Sequence, residues 1–190
     1  IKPGTVGVPV ADTDIKIVDL ETGEKVLPTG QDGEIFIKGP QIMMGYYKKP
    51  DQTEEVLKDG WFRTGDVGHF DEDGYLSVTD RIKDMIIAGG YNIYPVEVDK
   101  VLMEHPEILE ACTIGVPDPY RGETIKSYVV RRPGSSIGAD AVIAFGREKL
   151  AAYKVPREVE FIDELPKTPV GKILRREVRE LDKKKREGAS

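Results

Sequence analysis

Over residues 1–80 the apolar positions recur mainly with the two-residue period of half-buried strands. DIKIVDL and GEIFIKG are such runs, separated by the turn ETGEK and by LPTGQDG. A later pair, VGHF and YLSVTD, is joined by DEDG. The pattern predicts a small antiparallel sheet or barrel. It is interrupted by one helix over Pro50 to Leu57, with Asp51 and Glu54 at capping-box spacing and Gly60 beyond its end. Past Asp80 the period changes. A strand DMIIA leads through the glycine turn AGGYN to a helix opened by Pro95, with Val98, Val101 and Leu102 on one face. The strands ILEACTIGV and TIKSYVV follow, then a helix around ADAVIAFGREKLAAY, a strand EVEFI and a final helix ILRREVRELDKKK. The fold class predicted is α+β, with a β-rich subdomain over 1–80 and a compact α+β domain over 85–190. Between them, residues 81–84 are charged, with Ile82 as the one large apolar side chain, and read as an exposed boundary. No internal repeat is present.

Composition narrows the class. At 190 residues, 39% hydrophobic and 33% charged, the chain can bury one or two modest cores. No apolar run approaches the roughly 20 residues of a membrane span, and the first residues lack signal-peptide character, so a soluble protein is predicted. A single cysteine, Cys112, excludes an intrachain disulfide and fits a reducing, cytoplasmic setting. Within ILEACTIGV it reads as a buried small hydrophobe rather than a nucleophile. The net charge of −6 disfavours a general nucleic-acid binder, and Lys183 to Arg186 reads as a solvated helix face. His69 and His105 form no zinc set or nucleophile–base pair with the cysteine, and no metal site is predicted. No serine has a G-x-S-x-G setting.

Three stretches stand apart: GWFRTGD (Gly60 to Asp66), DRIKDMIIAGGYNIYPVEVD (Asp80 to Asp99) and LPKTPVGK (Leu165 to Lys172). Each places charges beside glycine-stripped backbone, which suits a nucleotide and a thin substrate passing close by. Asp66 is either a turn cap or an acceptor for two neighbouring hydroxyls, as a ribose diol presents. Arg81 offers a planar fork of donors, or a surface ion pair with Asp80 or Asp84. Lys172 follows Gly171 on a long flexible stem and can neutralise two anions brought together; the plain alternative is a solvated lysine in the first turn of a helix. Gly171-Lys172-Ile173 is not a Walker loop, since the Ser/Thr and the earlier glycine are missing.

Together these stretches resemble the C-terminal part of the adenylate-forming enzymes, and most closely the fatty acyl-CoA ligases. The resemblance covers the whole chain and implies that Asp66 and Arg81 hold the ATP ribose and nucleotide, and that Lys172 serves adenylate formation. It also implies that Lys83 is the hinge about which a mobile C-terminal domain rotates. Gly89, Gly90 and Tyr91 would then line the passage for the pantetheine arm of CoA, with Arg121 as a contact for CoA phosphates. ATP, CoA and a fatty acid are the implied substrates, releasing AMP and pyrophosphate. The glycine-rich phosphate loop and the acyl pocket are absent from the sequence, and Mg²⁺ would be bound by residues outside it. The expectation is therefore a C-terminal piece, inactive in adenylation alone, whose partner is the missing N-terminal domain. Two other readings stay open. One is a relative that hands its adenylate to a carrier-protein phosphopantetheine or to oxygen. The other is a non-catalytic module that grips nucleic acid or a partner through its basic terminal helix.

Overall fold

The computed structural model describes residues 2–188. The chain forms two compact units, Ile1–Lys83 and Asp84–Ser190.

The first unit is an antiparallel sheet of β1 (Asp14–Val18), β2 (Gly33–Lys38), β3 (Leu57–Lys58), β4 (Trp61–Phe70) and β5 (Leu76–Arg81), with helix α1 (Pro50–Val56) between β2 and β3. β4 pairs with β2 along one edge, while its other edge is shared by β3 near its start and β5 near its end. The alternating residues of these strands bury Ile17, Ile35 and Leu76, with Ile15, Leu27, Ile37 and Phe70 packed around them. The helix stands where the sequence placed it, but the capping box does not form. Pro50 takes the first helical position, so the cap is Lys49, with no side-chain cap bond.

The second unit begins with a 3₁₀ turn at Ile82–Asp84 that straddles the boundary. It continues with β6 (Ile86–Ala88), β7 (Tyr91–Ile93), helix α2 (Pro95–Met103), β8 (Ile108–Asp118), β9 (Gly122–Arg131), helix α3 (Ala139–Lys149), β10 (Glu158–Phe161) and helix α4 (Arg175–Gly188). AGGYN is thus not only a turn before the helix, because Tyr91–Ile93 returns as a strand paired with Ile86–Ala88. α3 stops before the predicted LAAY, which turns instead into a 3₁₀ segment at Ala152–Lys154. β9 pairs antiparallel with β8, parallel with β10, and at its first residue with β6.

Alternation along β8 and β9 divides the core into two layers. Ala111, Ile125 and Val129 face α2 and α3 and pack with Ile86, Ile93, Val98 and Leu102. Cys112, Ile114, Tyr128 and Val130 face α4 and pack with Leu165 and Val178. The glycine hairpin is thereby rooted in one layer and the segment carrying Lys172 in the other.

Candidate functional site

Thr64-Gly65-Asp66 is a bulge inside β4 rather than the turn its glycine implied. Glu34 faces Val67 and Phe36 faces Arg63, so two steps along β2 span four along β4. Gly65 takes φ +70°, open to glycine, and the buried Glu34 carboxylate holds the bulge by accepting from Arg63 at 2.7 Å and from the Gly65 N–H at 3.3 Å. The Thr64 hydroxyl donates to the Ile35 carbonyl and accepts from the Asp66 N–H. This re-aims Asp66. Its register partner on β5 is Arg81, whose Nε donates to Asp66 Oδ1 at 2.7 Å. The guanidinium therefore meets Asp66, not the neighbouring aspartates, and Asp80 receives the Arg81 backbone N–H. The pair is half-exposed, open to a ligand.

Lys172 lies on a hairpin ahead of α4, not in the first turn of that helix. The Gly171 N–H closes a turn on the Thr168 carbonyl, Gly171 adopts φ +81°, and Thr168 N–H bonds the Lys172 carbonyl. Lys167 bridges to Ile173, Lys172 N–H bonds the Thr168 hydroxyl, and Leu174 N–H bonds the Pro166 carbonyl. The hairpin stands on buried Leu165 and presents Lys172 exposed at its tip.

The residues predicted for the CoA passage come together. Gly89 (φ +60°) and Gly90 (φ +83°) form the bend between β6 and β7, and Gly89 N–H donates to the Arg121 carbonyl at 2.9 Å. A Cβ on Gly89 would lie 3.9 Å from Arg121 Nε, whereas one on Gly90 would meet nothing within 4 Å. Asp118 Oδ1 accepts the N–H groups of Tyr120 and Arg121, which holds its carboxyl below the usual range. Tyr91 stacks on Tyr153 with ring centroids 4.5 Å apart. Sequence reasoning missed two supports of this hairpin, Tyr153 and Glu123, whose Oε2 accepts the Ile87 N–H at 2.8 Å. Both pairings are long-range, and no local pattern marks them.

The boundary 81–84 is not uniformly exposed. Arg81 and Lys83 are exposed, but the Asp84 side chain is only 12% exposed and pairs with Arg179 at 2.8 Å and Arg175 at 3.8 Å. Arg175 also donates from Nε to the Thr113 carbonyl at 3.0 Å and pairs with Asp99 at 2.5 Å. Asp99 in turn accepts the Thr113 N–H at 2.6 Å. Burial raises the Asp99 carboxyl to about 6, opposed by Arg175 and by the Thr113 hydrogen bonds. Cys112 is fully buried, and burial pushes its thiol up to about 12. The terminal cluster is internally paired through Lys185–Glu160, Arg186–Asp182 and Arg186–Glu158. Among the described residues no group of three or more His, Cys, Asp or Glu is placed to hold a metal, and no helix is long and apolar enough to cross a membrane.

This geometry coincides with family resemblance over most of the chain. The AMP-binding enzyme family matches residues 1–47, and the AMP-binding enzyme C-terminal domain matches residues 97–172. A long-chain-fatty-acid–CoA ligase of Bacillus subtilis is 54% identical over 179 residues, 94% of this chain and 32% of that protein. A feruloyl-CoA synthase of an Amycolatopsis species is 51% identical over 178 residues, 94% of this chain and 36% of that protein. The crystal structure of ATP-bound MatB from Rhodopseudomonas palustris superimposes with a TM-score of 0.89 at 38% identity, covering 94% of this chain and 36% of that one. The chain belongs to the adenylate-forming, AMP-binding enzymes. It spans about a third of the length of the curated relatives it matches.

Proposed function

We propose that the chain is the C-terminal part of a cytoplasmic, AMP-forming acyl-CoA ligase that activates a fatty acid as its adenylate and transfers the acyl group to CoA. The observation that carries this reading is the β4 bulge, which sets the Asp66 carboxylate against Arg81 while Asp66 Oδ2 takes no hydrogen bond from the described residues. A carboxylate so held accepts from the two ribose hydroxyls, and Arg81 fixes its orientation.

In the first half-reaction a carboxylate oxygen attacks the α-phosphorus and pyrophosphate leaves. Lys172 contributes a cation that touches both anions, with no covalent step of its own. In the second, the CoA thiol attacks the acyl carbonyl and AMP leaves; Gly89 and Gly90 keep the way clear for pantetheine, and Arg121 meets CoA phosphates. Rotation about Lys83 brings each loop into use in turn. The phosphate loop, the acyl pocket and the carboxylate that holds Mg²⁺ belong to the remainder of the enzyme. The 190-residue chain alone is therefore inactive in adenylation.

The test is AMP release by the full-length enzyme, assayed with fatty acids of graded length, with a hydroxycinnamic acid, and with CoA or a carrier-protein phosphopantetheine as acceptor. CoA-dependent release that is highest with a fatty acid supports the proposal. Release that needs the carrier protein, or occurs only with the aromatic acid, contradicts it.

A further inference from the structure

We propose that Arg175 is a positioning residue that locks the Lys172 hairpin, the sheet and the segment just after Lys83 into one rigid piece, so that Lys172 is held in place for adenylate formation. The inference rests on the role proposed for Lys172. Arg175 opens α4 three residues beyond that lysine, at the foot of its hairpin. Its side chain is only 15% exposed, and the guanidinium faces three elements at once: the Thr113 carbonyl of β8, the Asp99 carboxylate of α2, and Asp84, the residue next to Lys83. Asp84 is held a second time by Arg179, one helical turn further along α4. A planar fork donates in several fixed directions together, so one side chain ties the three elements at a single point.

The chemistry explains why the lock matters. A flexible lysine works as an electrostatic catalyst only where its stem starts from a fixed point, and displacement by about 1 Å can cost 10²-fold in rate. Beyond its internal hydrogen bonds, the hairpin is held by Leu165 and Ile173 in the core and by an ion pair from Lys167 to Glu110 of β8 at 2.8 Å. Arg175 supplies the anchor at its base. Because the same guanidinium reaches Asp84, a turn of the backbone at Lys83 carries Lys172 with it. The pivot is thereby confined to residues before Asp84, shorter than the 81–84 segment that charge alone marked out.

Arg175→Lys tests this, because it keeps the charge beside Asp99 and Asp84 but cannot reach Thr113 and both carboxylates together. Hydrogen exchange on the 190-residue chain should show the Thr168, Gly171 and Leu174 amides losing at least about tenfold in protection while the β8–β9 amides keep theirs. In the full-length enzyme, kcat for ATP–pyrophosphate exchange should fall at least about tenfold with KM for ATP within about twofold, and conversion of supplied acyl adenylate to thioester should be retained. Unchanged protection in the hairpin, or equal loss of protection throughout the sheet, overturns the inference. So does an equal fall in both half-reactions. If the unsubstituted enzyme shows no exchange at all, the proposed function fails instead, and the protection result still decides whether Arg175 anchors the hairpin.

Discussion

Arg81 and Asp66 are register partners across β4 and β5, and the Arg81 Nε lies 2.7 Å from Asp66 Oδ1. They come from strands joined by a hairpin, and as facing positions of an antiparallel pair they lie on the same face of the sheet. A half-exposed pair of this kind adds about 1 kcal/mol or less to the fold. Its charged hydrogen bonds to a ligand are worth more, about 1.5–3 kcal/mol each. Asp66→Asn should therefore raise KM for ATP in the full-length enzyme by about 10- to 100-fold and leave the melting temperature nearly unchanged. A large loss of stability with unaltered KM would assign Asp66 to the fold alone.

Asp182 makes the opposite case. Its buried carboxylate bonds Lys126 at 2.6 Å, the Tyr128 hydroxyl at 2.9 Å and Arg186 at 2.7 Å. Burial pushes this carboxyl up, but the bonds to Lys126, Arg186 and Tyr128 outweigh it and hold the group low. The unfolded carboxyl titrates at about 3.9, so the stability it contributes is present above that pH and lost as acid protonates the folded group. Asp182→Ala should destabilise the second unit by about 3–5 kcal/mol at pH 7, read from its urea midpoint. A change below about 1 kcal/mol would show that the buried carboxylate does not hold this unit together.

Much of this was legible in the residues. The two-residue alternation marked most of the strands, and the three motifs marked Asp66, Arg81, Gly89, Gly90 and Lys172 before any contact was known. The TGD bulge was not legible, because it exists only against Glu34 on another strand. β7 escaped because three residues carry too little periodicity. Asp84 looked exposed because charge usually means surface, yet its partner Arg179 lies 95 residues away. The capping box failed for a local reason, since Pro50 displaces Asp51 from the cap position.

Cys112 should be inert. Its thiol is sealed among Ile114, Tyr128 and Val130 and is raised by burial, with the Asp99 charge adding to the effect. An aromatic disulfide reagent at pH 8 should react with the native chain at least about 10²-fold more slowly than with the urea-unfolded chain. Equal rates would place the thiol at an accessible surface.

Gly90→Leu separates the half-reactions. A Cβ there meets no atom within 4 Å, and the positive φ costs about 1–2 kcal/mol. A leucine would instead fill the space proposed for pantetheine. Pyrophosphate exchange should persist while thioester formation falls about 10²-fold or more. If exchange falls as far, Gly90 is only a turn residue.

The central claim is that Lys172 acts in adenylate formation and not in thioester formation. The direct measurement is Lys172→Ala in the full-length enzyme, followed in both half-reactions on the same preparation. ATP–pyrophosphate exchange should fall by about 10²-fold or more, while supplied acyl adenylate is converted to acyl-CoA at nearly the unsubstituted rate. Equal loss in the two steps, or full retention of exchange, would contradict the account.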